Sequence, residues 1–268
     1  MSDFLATMVA ASAERVADLD QAAFGRPAAP PVPLRLGRFD VIAEIKDRSP
    51  AEGDLARPGS DRAARARLYA DGGAAAISVL TEPTRFAGRL EHLAEVVAAV
   101  PDVPVMRKDF LVDPLQVDEA RAAGASGVLL IATMLDDAVL RSMLDTALAH
   151  GMFVLVESFD RQDLQRVGSL CGEKDYAAAA TDGRLLVGVN TRNLRTLEVD
   201  NARLAELAPV LPGARGVAES GLVTADDAAR VASLGYRLAL VGTALMRSAD
   251  PAQLVADMRA AGSERVAA

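Results

Sequence analysis

The chain has 268 residues, and its 51% hydrophobic content can bury a sizeable core, which excludes disordered and fibrous classes of protein. The formal net charge of −8 opposes nonspecific attraction to nucleic acid or anionic lipid, so we expect neither as a partner. One cysteine and two histidines exclude an internal disulfide and a multi-histidine metal site, and no metal is expected.

Residues 1–40 are predicted to form an N-terminal extension, separate from a catalytic domain over residues 41–268. An amphipathic pattern from Phe4 to Leu19 predicts a helix, and a proline-rich stretch from Pro27 to Pro33 predicts a spacer. The N-terminus lacks a basic segment followed by an apolar core, and no apolar run reaches the roughly 18 residues that span a bilayer. We therefore expect a cytoplasmic protein without a membrane partner.

From residue 41 onward, short apolar runs typical of buried strands alternate with helical patterns. Eight runs are predicted as strands: Val41–Ile45, Ala75–Leu80, Pro104–Met106, Gly127–Ile131, Phe153–Val156, Leu185–Val189, Gly216–Ala218 and Leu238–Val241. Three helix-to-strand junctions carry glycine, at Gly73, Gly124 and Gly235, where it suits a helix C-cap. Eight consecutive βα units predict an α/β fold of the (β/α)₈ TIM-barrel class. A doubly wound sheet is the alternative, but it would need fewer strands or a second domain.

Lysine is rare in this chain: only Lys46, Lys108 and Lys174 occur among 29 basic residues. Two of them stand at predicted C-terminal strand ends, where barrel enzymes carry their reactive groups. The other polar residues at such ends are Glu44, Glu157, Asn190 and Arg192. Each one alone could be a rim ion pair, whereas the set predicts an active site at the barrel mouth.

Small residues follow the seventh and eighth predicted strands, in the segments Ser220-Gly221 and Gly242-Thr243. Small side chains let backbone N–H groups approach a ligand. Barrels often bind phosphate at these two positions, supported by a helix N-terminus. We therefore expect a phosphorylated small-molecule substrate.

Seven segments, in this order, resemble the indole-3-glycerol phosphate synthase family. They are Ile42–Pro50, Ile77–Pro83, Arg107–Pro114, Val154–Glu157, Gly188–Leu194, Ala218–Gly221 and Val241–Gly242. The resemblance implies a (β/α)₈ barrel with an N-terminal extension over its mouth, and a carboxy-lyase of tryptophan biosynthesis. The implied substrate is 1-(2-carboxyphenylamino)-1-deoxyribulose 5-phosphate, which is cyclised, decarboxylated and dehydrated to indole-3-glycerol phosphate without a cofactor.

By the same resemblance, Lys108 is the general acid that activates the substrate carbonyl, and Glu157 is the acid/base group in dehydration. Glu44 and Lys46 resemble the pair on the first strand, with Lys46 near the substrate anion, while Asn190 orients substrate groups. Substrate contacts are implied for Ser49, Phe110, Arg192, Glu219, Ser220, Gly221, Gly242 and Thr243. The chemistry needs these residue types, because ring closure onto a ketone needs a proton and dehydration needs an acid and a base. A glutamic acid starts near a pKa of about 4.3, so holding a proton at neutral pH requires burial or carboxylate neighbours.

Two features depart from the family pattern. Ala51 and Glu52 stand where the family usually has a serine and a basic residue, and a negative charge there opposes anion binding unless it points away. The segment from Cys171 to Arg184 is longer than the family's usual link into the sixth strand, and we expect it to be a mobile loop.

Two other functions fit the same residues. Another phosphosugar barrel enzyme, an isomerase or an aldolase-type lyase, could form a Schiff base at Lys108. A diverged barrel that binds a phosphorylated ligand without catalysis is suggested by Ala51, Glu52 and the long link before the sixth strand. The sequence does not fix the oligomeric state, and a monomer is compatible with it.

Overall fold

The structure is a computed structural model that describes residues 3–25, 29–56, 61–193, 196, 198–200 and 202–266. Pro27 of the predicted spacer and Leu194 of one family-like segment lie outside the described residues. Within the described part of the chain, every helix is too short or too polar to cross a membrane.

Eight parallel strands form a closed barrel in chain order. They are β1 Asp40–Ile45, β2 Ala76–Leu80, β3 Val105–Lys108, β4 Gly127–Ile131, β5 Phe153–Ser158, β6 Leu185–Asn190, β7 Arg215–Glu219 and β8 Leu238–Val241. The barrel closes where Asp40 of β1 pairs with Leu238 of β8. The predicted (β/α)₈ fold is confirmed, and closure excludes the doubly wound alternative, which has an open sheet.

Helices alternate with these strands along the described chain. They are α1 Asp3–Ala17, α2 Arg62–Asp71, α3 Pro83–Phe86, α4 Leu90–Ala99, α5 Pro114–Ala122, α6 Asp137–Ala149, α7 Arg161–Cys171, α8 Lys174–Asp182, α9 Ala202–Leu207, α10 Ala225–Ser233, α11 Thr243–Arg247 and α12 Pro251–Arg265. A small antiparallel hairpin, Arg48–Ser49 with Gly53–Asp54, follows β1. The predicted junction glycines Gly73, Gly124 and Gly235 have φ of 82°, 96° and 105°, a left-handed conformation that glycine adopts without strain.

The barrel strands are buried on both faces, which explains their continuous apolar runs. On β1, Val41 and Ala43 belong to the outer cluster that includes buried helix residues, and Ile42 belongs to a second cluster in the barrel interior. The interior cluster also contains Met106, Leu129, Leu155, Leu186, Val217 and Leu240. Apolar side chains therefore form a buried layer below the polar residues at the strand ends.

Four strands run one or two residues beyond their predicted C-terminal ends. The observed ends are Lys108, Ser158, Asn190 and Glu219. The prediction stopped each strand at its first polar residue, whereas the sheet continues, as in the pairing of Asn190 with Glu219. The candidate residues Lys108, Glu157, Asn190 and Glu219 are therefore held by the sheet rather than by loops.

The prediction of a mobile loop from Cys171 to Arg184 is wrong. Helix α7 ends at Cys171 and α8 occupies most of the remaining segment, with Tyr176 and two alanines buried. The Tyr176 hydroxyl donates a hydrogen bond to Asp145 of α6 at 2.9 Å. Alanine favours helices, but a run of alanines does not alternate between apolar and polar residues. The helical periodicity was therefore not recognisable in this segment.

Helix α1 packs over the barrel mouth. Leu5 is buried in the interior cluster, and Phe4 meets Phe110 edge to face with ring centroids 5.9 Å apart. Near the other end of the helix, Arg15 donates to both carboxylate oxygens of Asp109 at 2.9 and 2.8 Å. Apolar contacts and an ion pair thus attach α1 to the segment that directly follows β3.

Candidate active site

A cavity of about 520 Å³ opens at the C-terminal ends of the barrel strands. The predicted site residues all line it: Glu44, Lys46, Ser49, Lys108, Phe110, Glu157, Asn190, Arg192, Glu219, Ser220, Gly221, Gly242 and Thr243. Its apolar wall includes Phe4, Leu80, Phe86, Leu129 and Ile131. A cavity of this size with one apolar wall and one polar wall suits an organic ligand with an aromatic part and charged parts.

Lys108 stands between two carboxylates. Its Nζ lies 4.0 Å from Oε2 of Glu44 and 3.9 Å from Oε2 of Glu157. Burial acts to lower the pKa of Lys108, but Glu157, Glu44 and Glu219 outweigh burial and raise that pKa above its usual value. Lys108 is therefore an ammonium at neutral pH and can act as a proton donor.

Glu44 and Lys46 form an ion pair at the end of β1, with Lys46 Nζ 2.7 Å from Glu44 Oε1. Residues two apart on a strand share a face, which is why both reach the cavity. Burial acts to raise the pKa of Glu44, but Lys46, Lys108 and Arg192 prevail and lower it. Glu44 is therefore a carboxylate that helps to hold both lysines in place.

Gly242, after β8, leaves the space that this ion pair occupies. A methyl group at position 242 would lie 2.2 Å from Glu44 Oε1 and 2.9 Å from Lys46 Nζ. The φ of Gly242 is −117°, so the backbone conformation itself does not require glycine. The sequence predicted that a ligand comes close to the backbone at Gly242. The structure shows in addition that the side chains of Glu44 and Lys46 lie close to it.

Substituting Gly242→Ala is expected to lower kcat/KM about 10²-fold, because the methyl group displaces the carboxylate and ammonium from their positions. Gly213→Ala is the matched control, since a methyl group there meets no atom within 4 Å. Steady-state kinetics of both variants test the prediction. Equal kcat/KM for the two variants would show that the space at Gly242 is not needed.

Glu219 at the end of β7 is buried beside Glu157, and the two residues are 1% and 2% exposed. Burial, followed by the charge of Glu157, raises the pKa of Glu219 well above its usual range, although Lys108 opposes this. The raised pKa therefore favours the protonated form of Glu219 more than that of an exposed glutamate. The sequence predicted only a substrate contact here. The sequence did contain a sign of this role: Glu219 is a third glutamate at an inward-facing strand end, beside Glu44 and Glu157.

Asn190 is fixed in place by two hydrogen bonds to its side-chain oxygen. The Ser220 hydroxyl and the backbone N–H of Arg192 each donate to this oxygen at 2.9 Å. Ser220 has a φ of 68°, a left-handed conformation that costs a non-glycine residue about 1–3 kcal/mol. The turn after β7 thus holds Ser220 against Asn190, and the Asn190 amide nitrogen can donate to a ligand.

Glu52 does not present an isolated negative charge to the cavity. Its carboxylate forms an ion pair with Arg247 of α11 at 2.8 Å, and both residues line the cavity. A paired carboxylate repels an anionic ligand less than a free one does. The departure from the family pattern at this position is therefore compensated by a cation from α11, which follows the neighbouring strand β8.

Asp109, which follows Lys108, was not predicted as a site residue, yet it fixes this part of the chain. Besides Arg15, it accepts from the Thr81 hydroxyl at 2.7 Å and from Arg107 at 3.2 Å. Burial acts to raise the pKa of Asp109, but Arg107 and Arg15 prevail and lower it below its usual range. The buried carboxylate thus joins the residue directly after β2, the strand β3 and the helix α1 next to Lys108.

The chain shows sequence similarity to one enzyme family over most of its length. The sequence model of the indole-3-glycerol phosphate synthase family matches residues 33–258. The indole-3-glycerol phosphate synthase of Parafrankia sp. is 48% identical over 231 residues, which are 86% of this chain and 81% of that relative. The indole-3-glycerol phosphate synthase of Nocardioides sp. is 47% identical over 248 residues, which are 92% and 88% of the two chains.

Solved structures share the fold. The crystal structure of 3-hexulose-6-phosphate synthase from Salmonella typhimurium matches with a TM-score of 0.63, covering 85% of this chain and all of that one. Its sequence identity is 18%, so this likeness concerns the barrel architecture alone.

Proposed function

The chain belongs to the indole-3-glycerol phosphate synthase family, and we propose that it converts 1-(2-carboxyphenylamino)-1-deoxyribulose 5-phosphate to indole-3-glycerol phosphate, carbon dioxide and water. The enzyme is a carboxy-lyase of tryptophan biosynthesis. The observation that carries the proposed mechanism is the Lys108 ammonium, held 4.0 and 3.9 Å from two carboxylates in the cavity.

In ring closure, the aromatic carbon that bears the carboxylate attacks the ketone carbon, and the ketone oxygen gains negative charge. Lys108 donates its proton to this oxygen as the carbon–carbon bond forms. Glu44 and Glu157 keep the amine protonated before the reaction, and the alkoxide is a far stronger base than the amine. The carboxylate then leaves as carbon dioxide, and its electron pair restores the aromatic ring.

In dehydration, the new hydroxyl group leaves as water, and a proton is lost from the neighbouring ring methylene. Glu157 is the proposed acid/base group of this step. The raised pKa of Glu219 supports the proposal, because it favours the acid form of a carboxyl group beside Glu157, in a site that contains neither histidine of the chain. An acid and a base next to each other are what elimination of water requires.

The remaining residues bind and orient the substrate. Lys46 and Arg192 are the proposed cations for the substrate carboxylate, and Asn190 orients a substrate hydroxyl. Phe110 supplies apolar surface for the aromatic ring. The proposed contacts of the phosphate and ribulose end are Ser49, Ser220, Gly221, Gly242 and Thr243. We also propose a cytoplasmic location, as expected for an enzyme that acts on a phosphorylated metabolite.

The proposal is tested with substrate that carries ¹³C in its carboxylate. A synthase releases one labelled carbon dioxide per turnover, and the product mass is lower than the substrate mass by one carbon dioxide and one water. A product with the mass of the substrate would indicate an isomerase. Borohydride trapping of a substrate adduct on Lys108 would indicate an aldolase-type lyase. Either result would overturn the proposed function.

A further inference from the structure

Gly188 is the one inward position near the C-terminal end of β6 that lacks a side chain. Two residues further along β6, Asn190 lines the cavity. In register, Gly188 pairs with Glu157 of β5 on one side and with Val217 of β7 on the other. Asn190 pairs with Glu219, so Gly188 lies two residues closer to the N-terminal end of the barrel than Glu219 does. It lies at the same height in the barrel as Glu157, its register partner on β5.

The Glu219 carboxyl occupies the space that a side chain at position 188 would fill. A methyl group there would lie 2.0 Å from Glu219 Oε1, 3.1 Å from its Cδ and 3.2 Å from Cδ1 of Leu155. A contact of 2.0 Å does not occur in packed proteins, so a side chain at 188 must displace the Glu219 carboxyl, and the tight contacts at 3.1 and 3.2 Å add to the crowding. Leu155 is fully buried and packed in the interior cluster, which leaves the Glu219 carboxyl as the group that moves.

We propose that Gly188 is a positioning residue for the reaction: its missing side chain provides the space in which the Glu219 carboxyl stands beside Glu157 and near Lys108. Gly188 lies within a regular strand, so the requirement for glycine is one of space rather than of backbone conformation. The effect on turnover rests on the proposed synthase function. The position of the carboxyl is a property of the folded chain and can be measured without substrate.

The charged surroundings of Glu219 determine what displacement does. The titratable groups that face it across the barrel are Glu157 from β5, Lys108 from β3 and Glu44 from β1. The residues that pair with Glu219 on the neighbouring strands, Asn190 of β6 and Leu240 of β8, are uncharged. Burial and Glu157 favour the neutral acid. We expect a carboxyl pushed out of this space to lose both influences, to ionise at lower pH and to be a poorer proton donor in dehydration.

The test combines Gly188→Ala with Glu219→Asp, which shortens the carboxyl side chain by one methylene and so vacates the space. Two quantities are measured: kcat, and the titration of the carboxyl at position 219 by ¹³C NMR without substrate. We expect Gly188→Ala alone to lower kcat about 10²-fold with a smaller change in KM. We expect the titration midpoint to move to lower pH. The double variant Gly188→Ala/Glu219→Asp should have a kcat less than about threefold below that of Glu219→Asp alone, because the shorter side chain removes the steric conflict.

Gly127→Ala is the matched control at the other end of the barrel. A methyl group there would lie 2.4 Å from Cε1 of Phe153, so it also disturbs packing. This variant should lose stability but keep the kcat and the position-219 titration of the unchanged chain. A loss of kcat as large as that of Gly188→Ala would reduce the role of Gly188 to general packing and overturn the proposal.

Further results bear on the proposal and on the function separately. An unchanged titration at position 219 in Gly188→Ala would overturn the proposal, as would an equal cost of Gly188→Ala in both backgrounds. If Gly188→Ala does not fold but the double variant does, the proposal is supported. If the double variant does not fold although Glu219→Asp alone folds, the proposal is contradicted. If the unchanged chain has no synthase activity, the function fails, while the titration still tests the position of the carboxyl.

Discussion

Replacing Lys108 with alanine is expected to lower kcat by about 10²-fold or more while the substrate still binds with a measurable Kd. Lys108 is the group placed to protonate the ketone oxygen, whereas the binding contacts come from many other residues around the cavity. Removing a proton donor acts on the transition state far more than on the bound ground state. Steady-state kinetics give kcat, and calorimetric titration of the inactive variant gives Kd.

Two further variants test whether the effect of Lys108→Ala comes from losing the proton donor. One tests for the loss of positive charge, and the other for the loss of a lysine at an unrelated position. Lys108→Arg keeps a positive charge between Glu44 and Glu157, but guanidinium is a much weaker acid, so kcat should stay low. Lys174→Ala removes an exposed lysine at the start of α8 and should leave kcat unchanged. Near-normal turnover of Lys108→Ala would contradict the assigned role.

Replacing Asp109 with alanine is expected to reduce the free energy of unfolding by about 3–5 kcal/mol. The carboxylate is fully buried and accepts hydrogen bonds from Arg15, Arg107 and Thr81, so its loss leaves these donors without their shared partner. Urea unfolding at neutral pH measures the change. Because Asp109 directly follows Lys108, we also expect a lower kcat in the folded variant.

The pH dependence of this difference has a definite sign. The pKa of Asp109 is lowered in the folded chain, so its stabilisation is fully present above the unfolded pKa of about 3.9 and is lost as pH falls through the lower folded pKa. The difference between the two proteins should be constant near neutral pH and shrink in acid.

Asp118→Ala provides the control for this prediction. Asp118 also links the N-terminal segment to α5, by accepting from Gln21 at 2.9 Å, but it does so in an exposed position. Its removal should cost at most about 1 kcal/mol. If Asp109→Ala cost no more than this, the buried network would not be what attaches α1 to the barrel.

The barrel and the ring of candidate residues were predictable because their signals are local in sequence. A strand buried on both faces is a continuous apolar run, and the first polar residues, such as Arg107 and Glu157, mark its end to within two residues. In a barrel, all strand ends meet at one mouth, so residues far apart in sequence could be placed together from topology alone.

Contacts between distant segments could not be predicted in this way. Arg15 and Asp109 are 94 residues apart, and no spacing rule connects an extension helix to the end of β3. The space at Gly188 depends on how the Glu219 side chain lies across a neighbouring strand, which alternation along one strand does not determine. The pairing of Glu52 with Arg247 likewise depends on how the hairpin after β1 and helix α11 after β8 lie against each other.

The most direct test of the central claim, synthase activity at this cavity, is indole fluorescence after the purified protein is mixed with the carboxyphenylamino-deoxyribulose phosphate. The chain contains no tryptophan, so the product is observed against a low protein background. We predict a saturable rise in emission, with the product mass of indole-3-glycerol phosphate, that is lost in Lys108→Ala. Detectable binding of the substrate without any rise in emission would contradict the account and indicate a barrel that binds this phosphorylated ligand without turnover.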